Sequence, residues 1–199
     1  GDGAAAVVAA AKQNSNIKTL CGIKEGHSEV NLRYMYGGQK LKAPDAVLLS
    51  FDLEFNRALI TLDLASNDIG VPDGWSIERE SWGDFMHYKH TDGRTQEGRP
   101  KGASSGVIAL AESLKVNRAL IGAKLDYNNI EDEGAIAISA ALESNTTLGG
   151  LSLKGSSAGM TITANPASLV IRTEECGLFA QPENNEMRPR APAVETEGR

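Results

Sequence analysis

A twelve-residue segment ending in asparagine recurs four times along the chain, and no other feature limits the fold as tightly. Residues 134–145 read GAIAISAALESN, 106–117 read GVIALAESLKVN, 3–14 read GAAAVVAAAKQN and 45–56 read DAVLLSFDLEFN. Self-similarity of this kind is the signature of a repeat architecture. In each segment apolar residues fall at i, i+3 and i+7: Ala135, Ile138 and Leu142; Val107, Leu110 and Leu114; Ala46, Leu49 and Leu53; Ala4, Val7 and Ala11. That spacing lines one face of an amphipathic helix. The closing Asn14, Asn56, Asn117 and Asn145 are expected to stop these helices in the left-handed conformation, which asparagine tolerates better than any residue but glycine. Glu131, Asp132 and Glu133 place negative charge where the macrodipole of the fourth helix favours it.

A second unit follows each asparagine. RALITLDLASNDIG from Arg57 and RALIGAKLDYNNIE from Arg118 share L-x-x-(L/A)-x-L-x-x-N-x-I, and TTLGGLSLKGSS from Thr146 begins the same way. Leu62 and Leu64, Ala123 and Leu125, and Leu151 and Leu153 alternate with period two, which predicts short strands. The complete unit is strand, turn, helix. Asn117 and Asn145 are 28 residues apart, whereas the intervals 56–117 and 14–56 exceed 28 by 33 and by 14. One repeat is therefore intact and two carry insertions.

The pattern L-x-x-L-x-L-x-x-N-x-I-x-x-x-G-A-x-A-I with this period resembles the ribonuclease-inhibitor-like class of leucine-rich repeat, over roughly residues 3–155. That class also occurs in the ligand-sensing ends of innate-immune receptors and in Ran GTPase-activating proteins. The resemblance implies an α/β solenoid with a curved parallel β-sheet on its concave side and helices on its convex side. It implies a protein–protein interaction scaffold, and it admits a regulator of a small GTPase, although no residue maps onto that activity. A structural spacer in a larger assembly is a further alternative. Gln39 stands where Asn67 and Asn128 occupy the next repeats, Ser156 stands there in the fourth, and the pattern fades after Gly155. The expected division is a repeat domain over 1–180, of about four repeats with insertions at 21–38 and 71–105, and a disordered tail over 181–199 that is poor in apolar residues.

Strand units are spaced about 4.8 Å apart and helices about 10 Å, so stacked units must fan out on the helical side. Residues between the buried leucines then face the concavity: Asn31 and Arg33, Thr61 and Asp63, Lys124 and Asp126, Ser152 and Lys154. Of these, Arg33, Asp63, Lys124 and Asp126 are the candidate partner contacts, in a row of mixed sign without an aromatic residue. Asn67 and Asn128 read as structural amides that satisfy turn backbone. The 71–105 insertion holds both tryptophans, and Trp75, Trp82 and Tyr88 are its candidate contacts. The same aromatics can equally form a mini-core that keeps the insertion folded. Asp92-Gly93 predicts a hairpin between strands at 85–90 and 94–97. In the first insertion, Tyr34 and Tyr36 can extend a binding surface or cover a strand edge.

The remaining features exclude function classes. A formal charge of −6 and a pI near 5.2 argue against nucleic acid as partner. No apolar run approaches the roughly 20 residues of a membrane span. His87 and His90 lie three apart on a predicted strand, hence on opposite faces, with no third soft ligand nearby, so no metal is assigned. No Ser/His/Asp set, phosphate-binding loop or carboxylate pair stands at a meaningful spacing, so no catalytic residue, cofactor or small-molecule substrate is expected. Cys21 and Cys176 read as free thiols. A cytoplasmic location is expected. The Ala-rich 3–14 helix lacks a preceding strand, which suggests that further sequence precedes it.

Overall fold

In a computed structural model of the protein, the described residues are 2–35, 38–79, 86–97, 100 and 104–155, with three further strands at 170–172, 178–180 and 187–189. The elements follow the expected order. Helix α1 (Asp2–Gln13) leads to strand β1 (Glu29–Asn31), α2 (Ala43–Phe55), β2 (Thr61–Asp63), an inserted sheet, α3 (Ser105–Val116), β6 (Gly122–Lys124), α4 (Asp132–Ser144), β7 (Gly150–Ser152) and β8 (Val170–Arg172). The strands form one parallel sheet in the order β1-β2-β6-β7-β8. Its register aligns Val30, Leu62, Ala123 and Leu151 on the inner face. Against that face lie the helix stripes, with Ala46, Leu49 and Leu53, then Val107, Leu110 and Leu114, then Ala135, Ile138 and Leu142 all buried in one core. Each repeat thus closes its apolar face only by stacking on its neighbours.

The stripe differs in α1. Ala11 is buried and Ala4 and Val8 are half-buried, while Val7 is exposed. Among the described elements α1 packs on α2 alone, so it buries the single line 4, 8, 11 instead of a face shared between a helix and a sheet.

The helix-closing asparagines act differently from the expectation. Asn56, Asn117 and Asn145 have extended backbones, with φ of −71°, −66° and −80°. Their side chains do the work instead. Asn117 Oδ1 accepts the N–H groups of Ala119 and Leu120 at 2.9 and 2.8 Å, and its Nδ2 donates to Leu53 O at 2.6 Å and Asn56 O at 3.3 Å in the preceding repeat. Asn145 repeats this pattern onto Leu114 O and Asn117 O, and Asn56 onto Ile23 O and Lys24 O. The result is a buried amide ladder that ties the ends of α2, α3 and α4 to the repeat before each, whereas Asn14 after α1 is exposed and its side chain bonds locally, accepting from Asn16 N–H. Asn67 forms a rung of a second ladder beneath the strands, donating to Leu32 O and Leu64 O and accepting from Leu41 N–H; Asn128 donates to Leu64 O.

The first insertion is fastened by a residue that its sequence did not single out. Asp52, on α2 and 1% exposed, accepts the Thr19 hydroxyl and the backbone N–H groups of Leu20, Cys21 and Ile23 at 2.6, 3.1 and 3.1 Å. Burial, then the nearby Asp52 and Asp45 carboxylates, push the Cys21 thiol from its ordinary 9.0 up to about 11. Alkylation of Cys21 by iodoacetamide at pH 8 is therefore expected to run about a hundredfold slower in the folded chain than in urea, because the thiolate is the nucleophile and two pKa units separate the states. Site-resolved peptide mapping measures it; equal rates would remove the shift.

The second insertion contains a three-stranded antiparallel sheet of β3 (Trp75–Arg79), β4 (Met86–His90) and β5 (Thr95–Glu97), in the order β3-β4-β5. The expected hairpin is β4-β5. Strand β3 was not foreseen. Ser104, assigned to the insertion, already caps α3: its Oγ accepts Val107 N–H at 3.1 Å and donates to Ile69 O. Beyond the repeats, Leu178–Ala180 (β9) pairs antiparallel with Met187–Pro189 (β10), which lies in the stretch expected to lack structure. Tyr36, Trp82 and Cys176 fall outside the described residues.

Candidate functional site

On the strand face turned away from the helices, the register defines three rows. The first is Glu29, Thr61, Gly122 and Gly150, and the second is Asn31, Asp63, Lys124 and Ser152. Continuing backbone bonds from Tyr34 N–H to Ala65 O, Ser66 N–H to Asp126 O and Tyr127 N–H to Lys154 O place Arg33, Ala65, Asp126 and Lys154 in the third. Thr61 therefore stands beside Glu29, not Asn31, and Ala65 fills the Arg33 row with a buried methyl.

Arg33, Lys124, Asp126, Ser152 and Lys154 converge with Tyr127 around an open depression of about 680 Å³, floored by Gly122 and Gly150. Tyr127 corrects the expectation that this face lacks an aromatic. It is 42% exposed, in the left-handed region at φ 55°, and its ring lies against Gly155, where any Cβ would sit 2.2 Å from the ring. The sequence hid it because it belongs to the turn, one residue beyond the strand alternation.

Two kinds of glycine separate in this fold. A Cβ on Gly106 would meet Ala43 Cα at 2.7 Å and Ala43 O at 2.8 Å, and one on Gly134 would meet Ile130 and Val107 methyls at 3.0 and 3.1 Å. Those glycines let successive helices touch. At Gly150 nothing lies within 4 Å, and at Gly122 only the Thr61 methyl at 3.6 Å, an ordinary contact. Packing does not demand glycine there, and glycine weakens a strand.

The second concave feature lies between the inserted sheet and the start of α2. It has a volume of about 490 Å³ and is lined by Pro44, Val71, Trp75, Ile77, Lys89 and His90 among others. Trp75 is half-buried, edge-on to the His90 ring at 5.0 Å, with the Arg94 guanidinium 5.8 Å from its ring centre. The backbone N–H of Arg94, then the His90 and Arg94 side chains, hold the exposed Asp92 carboxyl below its usual range. Asp73 ties this corner to the solenoid, accepting the Ser105 hydroxyl at 2.9 Å. Tyr88 is 1% exposed. So buried, it presents almost no surface to a partner, which corrects its place among the candidate contacts.

The structure thus gathers Arg33, Lys124 and Asp126 at one place, with Asp63 beside them, and sets Trp75 at another. The Leucine Rich repeat family matches residues 55–74 and 124–139, which hold β2 with its turn and the turn that leads into α4. The chain contains leucine-rich repeats. Its matched segments contain Asn67 and Asn128, the amides that bond beneath the strands. Among solved structures, this leucine-rich-repeat chain is similar to leiomodin-1 actin-binding site 2, at 20% identity over 73% of this chain and 58% of that one, with a TM-score of 0.44. No curated protein matches it. No helix among the described residues is long and apolar enough to cross a membrane.

Proposed function

We propose that this leucine-rich-repeat chain is a non-catalytic scaffold that binds a partner protein on its concave face, over the floor formed by Gly122 and Gly150. The open space above those two glycines carries the reading. A strand glycine without a packing reason is a cost to stability, and close approach of a ligand or another backbone is one of the reasons that such glycines occur. Tyr127 supplies an amphipathic anchor at the margin of that floor, of the type that dominates binding energy at interfaces.

The test fills the floor without disturbing the fold. Gly150→Val is expected to leave the melting temperature unchanged or slightly raised, since valine suits a strand and its Cβ meets no neighbour within 4 Å there. It is expected to abolish capture of a partner that the unmodified chain retains and that is then titrated in purified form. Retention of that partner by Gly150→Val, together with its loss on Trp75→Ala, would move recognition to the insertion. That second reading is favoured by one observation, the Trp75 hollow wedged against the start of α2. A GTPase-regulating role gains no positioned group from the geometry, and the spacer role has no use for a cleared floor.

A further inference from the structure

We infer that the segment held on this concave floor is acidic and extended, and carries an apolar residue as well as a carboxylate. The inference rests on the concave reading above and adds the chemistry of the occupant. Three observations lead to it.

Charges of both signs line the face, but they are not equally available. Asp126 Oδ1 already accepts the Ser152 hydroxyl at 2.6 Å and the Lys154 N–H at 2.8 Å. Asp63 Oδ1 accepts Ala65 N–H at 3.0 Å, and its Oδ2 lies 3.5 Å from Lys124 Nζ. The Asp63 side chain is 15% exposed, whereas that of Lys124 is 60% exposed. Both carboxylates keep their charge, but the side chains that line the depression include three cations, Arg33, Lys124 and Lys154, against one acid, Asp126. Glu29 is the remaining acid of these rows, and it lies two strands from Gly122, about 10 Å away at ordinary strand spacing. A chain of net charge −6 therefore carries a locally basic rim at this point.

The opposite margin is apolar. Ile60 and Ile121, just before the glycine row, are 43% and 53% exposed, and they are adjacent, with Ile121 N–H bonded to Ile60 O. An occupant of this face therefore meets apolar side chains before the glycine row and cationic ones beyond it.

The third observation excludes another binding mode. The N–H and C=O groups of β2, β6 and β7 are bonded to neighbouring strands, so an added strand finds no free ladder here. Side chains carry the specificity, and the glycines allow the occupant's backbone to approach.

The experiment selects random short peptides displayed on phage against the immobilised chain in near-physiological salt, and repeats the selection on Gly150→Val and on Arg33→Glu/Lys124→Glu. Peptides bearing Asp or Glu together with an apolar residue are expected to be enriched. Enrichment is expected to vanish on Gly150→Val, and the double charge reversal to weaken the winning peptides by about tenfold or more, as loss of complementary rim charge does. Peptides without acidic residues that are still lost on Gly150→Val would overturn the acidic assignment and leave the concave reading standing. Acidic peptides indifferent to Gly150→Val would overturn the concave reading itself. Failure to enrich any peptide overturns the inference, as does equal displacement of the winners by a short single-stranded DNA, which would mark a general polyanion surface.

Discussion

Asn117→Ala is expected to cost about 4 kcal/mol of folding stability, a large share of the roughly 5–15 kcal/mol that holds a domain of this kind together. The side chain is wholly buried and makes four hydrogen bonds, two received from Ala119 and Leu120 and two given to Leu53 and Asn56. Alanine leaves all four backbone groups without that partner, and each buried orphan costs about 1–3 kcal/mol, less where water can enter. Because the Nδ2 bonds cross between repeats, the loss falls on the cohesion of the solenoid, not on one helix end. Asn128→Ala provides the comparison: its Oδ1 is buried without a hydrogen-bond partner, so its removal forfeits fewer bonds and is expected to cost less. Urea denaturation followed by circular dichroism measures both. A loss below about 1 kcal/mol for Asn117→Ala would mean that the amides report helix ends without holding them.

The repeat, the strand–turn–helix unit and the presence of an insertion before α3 were legible because each depends on residues near one another in sequence, whereas strand β1 falls inside the stretch 21–38 that was expected to be inserted. The helix-ending asparagines were legible as a position and not as a mechanism. A closing asparagine suggests a left-handed stop, yet the groups these amides serve lie in the preceding repeat, such as Leu53 for Asn117. Sequence spacing cannot show that. The glycines show the same limit: Gly106 and Gly122 look alike on the page, and only the neighbour opposite each distinguishes a packing requirement from an open floor. The hairpin at Asp92-Gly93 carried its own turn signal, whereas β3 and β4 are separated by the six residues 80–85, longer than the two-residue loop that Gly83-Asp84 would signal. Arg33, Lys124 and Asp126 were found by strand alternation; Tyr127 lay one residue outside it.

The choice between concave face and insertion has a physical shape. Trp75 is the better anchor by residue type, but it is partly covered by His90 and Arg94 and serves the insertion's own packing. Tyr127 rests on Gly155 alone among the glycines and leaves much of its ring to solvent. An anchor already held in place loses little conformational freedom when a partner arrives. That favours the concave margin.

Asp52→Ala is the second large effect. A carboxylate buried on α2 draws in the Thr19 hydroxyl and the N–H groups of Leu20, Cys21 and Ile23, and charge-assisted bonds of this kind are worth about 1.5–3 kcal/mol each before the cost of burying the charge. Alanine strands three backbone donors, of which that of Ile23 is buried, so a net loss of about 3 kcal/mol is expected once water reaches the outer two. The Asp52→Asn variant keeps one acceptor oxygen but turns an NH₂ toward donors, and is expected to fall between the two. Amide hydrogen exchange locates the damage: Leu20, Cys21 and Ile23 should lose protection before the α3 and α4 cores do, whereas uniform loss would assign Asp52 to general packing. The same substitution is expected to lower the Cys21 pKa, because Asp52 has the larger effect of the two carboxylates that raise it. Alkylation at pH 8 should therefore accelerate in Asp52→Ala even where the chain remains folded. Faster exchange with unchanged thiol reactivity would separate the carboxylate's role as a clamp from its charge.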